Sequence, residues 1–355
     1  MTNPAVEVRN LAKHYGAVRA LDGVDLTIAA GEYFVLLGPS GGGKTTLLRT
    51  IGGFHKPTSG QVSLHGQDVG HLPPDKRPTS MVFQSYALFP HMTVARNVGY
   101  GLVLAGMASE QIATKVDAML EMVGLTGLGK RKPHELSGGQ QQRVQLARAL
   151  VLDRDILLLD EPLAALDAQL RKDMCLELKH LQEQVGITFI HVTHNQEEAM
   201  TVADRIALVA DGKLVEQGSA REMYEAPKQR FTASFVGENN LLDGQITGVE
   251  GDTVHFRTAG AMISVPAVQG AAEGAMATVS IRSELVSLST QSDSSLGGTY
   301  RETVYLGLTT SHRVALADGS EITARVVSDT AVETPEPGTP VALSWPEGAA
   351  RLHLN

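Results

Sequence analysis

The chain predicts an α/β domain built on a mainly parallel sheet, with a helical insertion, followed by a smaller all-β domain. Three observations lead there. From residue 5 to about 235, short apolar runs alternate with amphipathic stretches, as in strand–helix–strand units. Between Ser85 and Arg154 the strand signal lapses. After Phe235 the pattern becomes short alternating runs broken by turn residues.

Taken in order, Val6 to Val8, Tyr33 to Leu37, Met81 to Phe83, Ile156 to Asp160, Thr188 to Val192 and Arg205 to Ala210 read as strands, many apolar enough to be buried on both faces. Thr45 to Ile51 has helical spacing and stops at Gly52-Gly53. Inside the insertion, Thr93 to Ala105, Ser109 to Val123 and Gly139 to Leu152 are expected helices, the second keeping Ile112, Val116, Met119, Leu120 and Val123 on one face. Leu170, Met174, Leu178, Leu181 and Val185 mark a later helix. Beyond 235, Asp243-Gly244, Glu250-Gly251-Asp252, Asp318-Gly319 and Pro337-Gly338 punctuate runs such as Thr253 to Arg257. That is the pattern of a small barrel or sandwich, with a Ser-rich stretch, Ser287 to Ser295, between its halves. The expected domains are 1–235, with the helical subdomain at about 85–154, and 236–355.

A length of 355 residues, 43% hydrophobic and 19% charged, suits two or three ordinary globular domains. Thirty Lys and Arg stand against 39 Asp and Glu, a net charge of −9 with no basic tail, so nucleic acid is not an expected partner. The single cysteine, Cys175, allows no disulfide within the chain and suits a reducing compartment. No apolar run approaches about 18 residues and no charged-then-apolar leader opens the chain. The expectation is a chain that neither spans a membrane nor enters a secretory route by itself.

Between an apolar strand and a helix lies Gly38-Pro39-Ser40-Gly41-Gly42-Gly43-Lys44-Thr45. This is a phosphate loop: glycines let the backbone aim N–H groups at phosphate oxygens, Lys44 reaches the β and γ phosphates, and Thr45 offers a hydroxyl to Mg²⁺. Asp160 and Glu161 end another apolar strand, at the sheet edge where such folds bind ligands. There Asp160 can hold Mg²⁺ through its water shell and Glu161 can orient or deprotonate the attacking water. Gln84 ends the third expected strand, within reach of Mg²⁺ and that water, and His194 follows a further strand, placed to donate to the γ-phosphate. Each of these residues alone has a structural explanation, and His191 reads as structural. Ser137-Gly138-Gly139-Gln140 precedes a helical run, with Ser137 as cap and the glycines baring the first N–H groups, a second anion site. Two cradles so far apart make sense if the second serves a neighbouring chain's ATP.

With these motifs in this order, the chain resembles the ATP-binding cassette (ABC) ATPases. Over its whole length it resembles the importer subgroup for polyamines, ferric iron, phosphonates and sugars. The resemblance places the A-loop aromatic on Tyr15, Walker A on Gly38 to Thr46, the Q-loop on Gln84 and the signature on Leu136 to Gln140. Walker B falls on Ile156 to Glu161, the D-loop on Leu163 to Asp167 and the switch histidine on His194. It implies a P-loop NTPase fold with Tyr15 stacked on adenine. Ile281-Arg282-Ser283-Glu284 and Tyr305-Leu306-Gly307 imply a C-terminal TOBE domain, an OB-like β module. Ser85 to His91 resembles the surface that receives a permease's coupling helix.

The resemblance further implies a head-to-tail homodimer. ATP would lie between Tyr15, Gly38, Ser40, Gly41, Gly43, Lys44, Thr45, Thr46, Gln84, Asp160, Glu161 and His194 of one chain and Ser137, Gly138, Gly139 and Gln140 of the other. Glu161, His194 and Gln84 would serve catalysis, and Thr45, Gln84 and Asp160 the Mg²⁺. Two transmembrane permease subunits, an extracytoplasmic solute-binding protein and a peripheral place on the cytoplasmic face of the bacterial inner membrane complete the expectation. Leu72-Pro73-Pro74-Asp75-Lys76-Arg77-Pro78 and Phe235 to Asn240 look most like the polyamine branch; another solute, or a non-transport ABC ATPase, is the alternative. Ala164 stands where the D-loop commonly carries Ser, Asn195 where Asp is usual and Arg96 where the subgroup often has Glu. These departures bear on dimer closure and the permease contact.

Overall fold

The computed structural model describes residues 4–85, 87–290, 296–328 and 334–354. The chain divides into two compact units, Met1–Ala220 and Arg221–Asn355, so the boundary falls ahead of the expected 235/236. The reason is polar anchoring. Helices Ala220–Glu225 and Arg230–Phe235 are tied to the β domain by Arg282, whose Nε donates to the Tyr224 carbonyl at 3.0 Å and whose guanidinium stacks 3.9 Å from the Tyr224 ring centroid. Arg230 Nε likewise donates to Thr278 Oγ1 at 2.9 Å.

In the first unit, β1 (Val6–Tyr15) and β2 (Val18–Ile28) precede β3 (Tyr33–Leu37) and α1 (Lys44–Ile51). Then come β4 (Ser59–Leu64), β5 (Gln67–Asp68) and β6 (Thr79–Val82). The helical insertion contributes α2 (Val94–Leu104), α3 (Ser109–Met122) and α4 (Gly138–Leu150). The chain then returns through β7 (Ile156–Asp160), α5 (Ala168–Val185), β8 (Thr188–Thr193), α6 (Gln196–Val202), β9 (Arg205–Ala210) and β10 (Lys213–Gly218).

The central sheet has the order β10-β9-β3-β8-β7-β6, parallel except for β10 at one edge. Every residue of β3, β7 and β8 is buried, as their continuous apolar runs require of strands covered on both faces. Phe34, Leu36, Leu47, Ile51, Leu158 and Ile190 join α1 to the sheet in one core. Val6 to Val8 is only the start of β1, which runs to Tyr15 in a separate antiparallel sheet, β2-β1-β4-β5. The register of β1 on β2 slips between Val8 and Leu11, with Asn10 at φ 43°, and this bulge breaks the alternation that sequence periodicity depends on. The insertion packs α2, α3 and α4 around Val94, Val98, Leu102, Val116, Leu120 and Val144.

In the second unit, one antiparallel sheet orders Ala261–Pro266, Thr253–Thr258, Asn239–Glu250, Met276–Arg282 and Arg351–Leu354. The other orders Ser287–Ser289, Pro340–Ser344, Leu296–Tyr305, Thr309–Ala315 and Glu321–Val327. Ile246, Phe256, Val279, Tyr300, Val314 and Leu343 form their common core. Part of the Ser287 to Ser295 stretch is thus strand, and 291–295 lie outside the described residues. Among the described residues no helix is long and apolar enough to cross a membrane.

Candidate functional site

Where β3 ends, the chain turns through Gly38 at φ 149°, and a Cβ there would sit 2.1 Å from the Val209 carbonyl oxygen. Gly43, at φ 104°, passes the Ala20 carbonyl so closely that a Cβ would lie 2.5 Å away. Only glycine fits either place. Gly43 then caps α1 with no side-chain hydrogen bond, so the first N–H groups of the helix are left to an anion. The loop lines a cavity of about 450 Å³ with Ser40, Gly41, Gly42, Gly43, Lys44, Thr45 and Thr46, joined by Val18, Arg19 and Glu161. Lys44 Nζ donates to the Gly38 and Pro39 carbonyls, both at 2.8 Å. Burial pushes its pKa down, against the opposing pull of Glu161 and Asp160.

Asp160, the buried last residue of β7, accepts from the Thr45 hydroxyl on Oδ1 at 3.0 Å and from Arg49 on Oδ2 at 3.1 Å. Glu161 follows at φ 47°, a left-handed backbone that costs a non-glycine residue about 1 kcal/mol, and its N–H donates to the Val192 carbonyl at 3.1 Å. Gln84 Nε2 donates to Glu161 Oε2 at 3.2 Å, and His194 Nδ1 lies 3.5 Å from Glu161 Oε1. The segments leaving β6, β7 and β8 therefore converge on one carboxylate: of the expected group, Gln84 and His194 meet Glu161, and Thr45 meets Asp160 next to it in the chain. Arg49 was absent from that group. Its spacing from Thr45, one helical turn along the same face of α1, is the signal that could have found it.

His191 lies on β8 with no solvent exposure, Nδ1 3.1 Å from the Tyr33 hydroxyl, and burial drives its pKa to about 3. It is a structural histidine, as read. Tyr15, at the end of β1, is 45% exposed, with the Lys13 ammonium 4.8 Å from its ring centroid and His55 edge-on to it at 5.9 Å. It does not line the phosphate-loop cavity.

The second cradle is built differently. Ser137 Oγ accepts from the Gln140 N–H at 3.3 Å, and Gln140 Oε1 accepts from the Ser137 N–H at 3.1 Å, a reciprocal capping box at the start of α4. A Cβ on Gly139 would lie 3.5 Å from the Leu170 side chain. Neither Ser137, Gly138, Gly139 nor Gln140 lines the phosphate-loop cavity. Further along α4, Gln145 Nε2 donates to the carbonyls of Phe83 at 2.8 Å and Ser85 at 3.2 Å, gripping the backbone on either side of Gln84. Sequence reading missed Gln145, because nothing local marks one buried glutamine in a Gln-rich run. Of Ser85 to His91, Tyr86 lies outside the described residues. Ala164 is exposed, Arg96 is exposed in the first turn of α2, and Asn195 caps α6 by accepting from the Glu198 N–H at 3.1 Å.

A glycine-shaped loop opening a helix, beside a strand that ends in two carboxylates, defines a nucleotide-hydrolysing P-loop protein; the helical insertion bearing Ser137-Gly138-Gly139-Gln140 narrows it to the cassette class. Residues 21–164 match the ABC transporter family and residues 279–352 the TOBE domain. The spermidine/putrescine import ATP-binding protein PotA of Mesorhizobium japonicum is 48% identical, over 90% of this chain and 89% of that one. Its namesake in Ruegeria pomeroyi is 46% identical over 98% and 96%. Among solved structures, a dimeric ATP-binding cassette in a post-hydrolysis state bound to ADP and Pi is 35% identical with a TM-score of 0.55, covering 61% of this chain and 99% of that one. The cbiO1 subunit from Clostridium perfringens is 30% identical with a TM-score of 0.58, covering 62% and 90%. The chain belongs to the ATP-hydrolysing subunits of ABC importers, with a TOBE domain in its C-terminal part.

Proposed function

We propose that this chain powers uptake of a polyamine, spermidine or putrescine, by hydrolysing Mg-ATP in a head-to-tail homodimer. The homodimer would sit on the cytoplasmic face of the membrane, against two permease subunits fed by an extracytoplasmic binding protein. The observation that carries the chemistry is the meeting of Gln84 and His194 on Glu161. Glu161 orients the attacking water and accepts its proton, Gln84 holds that carboxylate from one side, and His194 donates toward the γ-phosphate from the other. Lys44 exchanges its loop carbonyls for phosphate oxygens, and Tyr15 stacks on adenine. Ser137, Gly138, Gly139 and Gln140 serve the ATP of the second copy.

Thr45 and Asp160 offer a hydroxyl and a carboxylate oxygen 3.0 Å apart, hard donors that fit Mg²⁺, an ion held by few protein oxygens together with phosphate and water. The amide nitrogen of Gln84 is spent on Glu161, which leaves its carbonyl oxygen for the same ion. Bound there, Mg²⁺ supplies positive charge to the β and γ phosphates.

The polyamine assignment rests on the relatives' printed function and on segments 72–78 and 235–240. Reconstitution with its permease in nanodiscs tests it: slow ATP turnover by the isolated chain, accelerated by permease and binding protein loaded with spermidine or putrescine. Acceleration by another solute alone overturns the polyamine assignment, and a rate indifferent to permease overturns coupling.

A further inference from the structure

Beneath His194 lies a buried polar chain that the hydrolysis chemistry does not use. Glu198, on the first turn of α6, is 5% exposed. Its Oε1 lies 3.5 Å from Arg171 Nε on α5, and the other end of that guanidinium donates to the Leu166 carbonyl at 2.8 Å, in the segment 163–167 ahead of α5. Its Oε2 accepts from the Thr193 hydroxyl at 2.6 Å, and that hydroxyl accepts from the Asn195 N–H at 2.9 Å. The Glu198 N–H in turn donates to Asn195 Oδ1 at 3.1 Å. His194 is thus bracketed by two residues that both end on Glu198, while the far side of Glu198 grips the loop that follows Glu161.

A carboxylate this enclosed is costly unless each oxygen has a partner, and here one partner, Arg171 on α5, reaches segment 163–167 while the other, Thr193, ends β8 beside His194. We propose that Glu198 is a positioning residue for hydrolysis: through Arg171 and Thr193 it registers segment 163–167 against His194 and so sets the distance from His194 to Glu161. The inference rests on the catalytic reading of Glu161 and His194. A movement of Leu166 reaches His194 through three side chains, giving a loop without chemistry of its own a route into the site.

The experiment is a double-mutant cycle on the full chain reconstituted with its permease. Glu198→Gln keeps shape and one acceptor but loses the charge that pairs with Arg171. It is expected to lower kcat about ten- to hundred-fold, the scale of a misplaced catalytic group, with KM for ATP within about twofold, since no phosphate contact changes. On a His194→Ala background the same change is expected to cost less than about twofold, because its target is gone. Histidine ring NMR of the full chain supplies a readout independent of rate: Glu198→Gln must move the His194 resonances, while Glu183→Gln, exposed on α5, leaves them in place. Equal loss of kcat in both backgrounds, an unchanged kcat, or unmoved His194 resonances overturns the relay. Should Glu198→Gln not fold, Thr193→Val, which removes one hydroxyl, is read in the same way. If His194→Ala itself keeps the wild-type kcat, the catalytic reading of His194 falls; if it loses rate while Glu198→Gln does not, only the relay falls.

Discussion

The N-termini of α1 and α4, the two places where the sequence leads one to expect a phosphate, are made in opposite ways. At α1 no side chain caps the helix, and close backbone contacts at Gly38 and Gly43 shape the loop. At α4 the Ser137 and Gln140 side chains satisfy each other's N–H groups, two of those at the start of that helix. A cradle that meets its ligand within one chain can leave its donors open and take its shape from backbone. On the proposed reading, the second cradle serves another copy's nucleotide, and its side-chain cap holds it in shape before that copy arrives. Gln84, Glu161 and His194 meet beside the first cradle, where β6, β7 and β8 end together.

The largest effect that sharpens this contrast is expected from Glu161→Gln. It keeps size but loses the proposed general base, so hydrolysis is expected to fall about 10²–10⁴-fold, or about 3–5 kcal/mol of barrier, while ATP still binds. Light scattering with Mg-ATP is expected to show far more dimer in this variant than in wild type; near wild-type turnover would remove Glu161 from its role. Next comes a direct attempt to break the sharing of cradles. Lys44→Ala and Ser137→Arg each disable a homodimer, and mixing them is expected to restore one intact site per heterodimer, seen as recovered ATPase activity. Mixtures of folded, dimerising variants that stay inactive would count against sharing, unless both sites must fire together.

Gly38→Ala tests whether backbone alone shapes the first cradle. A Cβ placed 2.1 Å from the Val209 oxygen must push the loop away, at about 3 kcal/mol of stability and with loss of ATP binding, read by urea unfolding and a fluorescent nucleotide. Lower in scale is the support under the first cradle. The unfolded chain protonates His191 near the ordinary histidine pKa, while the folded chain does not until about 3. The unfolded state therefore binds more protons as pH falls below about 6.5, and stability drops with it. Between pH 7 and 5 the wild type is expected to lose about 2 kcal/mol more than His191→Gln, a difference that cancels the pH dependence common to both. Equal slopes would mean that His191 takes up its proton in the fold. Smallest is Gln140→Ala, which removes half of the capping box for about 0.5–1 kcal/mol. Nucleotide affinity of the isolated chain is expected to stay unchanged, and a large loss would show that α4 serves its own chain's phosphate loop.

What could be read from the residues alone follows a physical divide. The phosphate loop, the carboxylate-ended strand, the capped α4 and the helices of the insertion are contiguous in the chain, where spacing and glycine chemistry act locally. They were legible almost to the residue. The extent of β1 was not, because the slip around Asn10 destroys the alternation that reveals a strand. Nor was the true start of the second unit, since Tyr224 and Val236 join it through an arginine far along the chain, Arg282.

Sequence by itself determined which groups were candidates for chemistry and that Gln84, Asp160, Glu161 and His194 would stand at strand ends. Tertiary structure alone decided that Gln84 and His194 meet on Glu161, that Arg49 takes the second oxygen of Asp160, that Gln145 clamps the backbone around Gln84, and that Glu198 joins two loops. The reason is sheet order. Parallel strands bring together segments distant in sequence, so a side chain's partner is set by which strand lies beside it, and no local pattern in the chain encodes that neighbour.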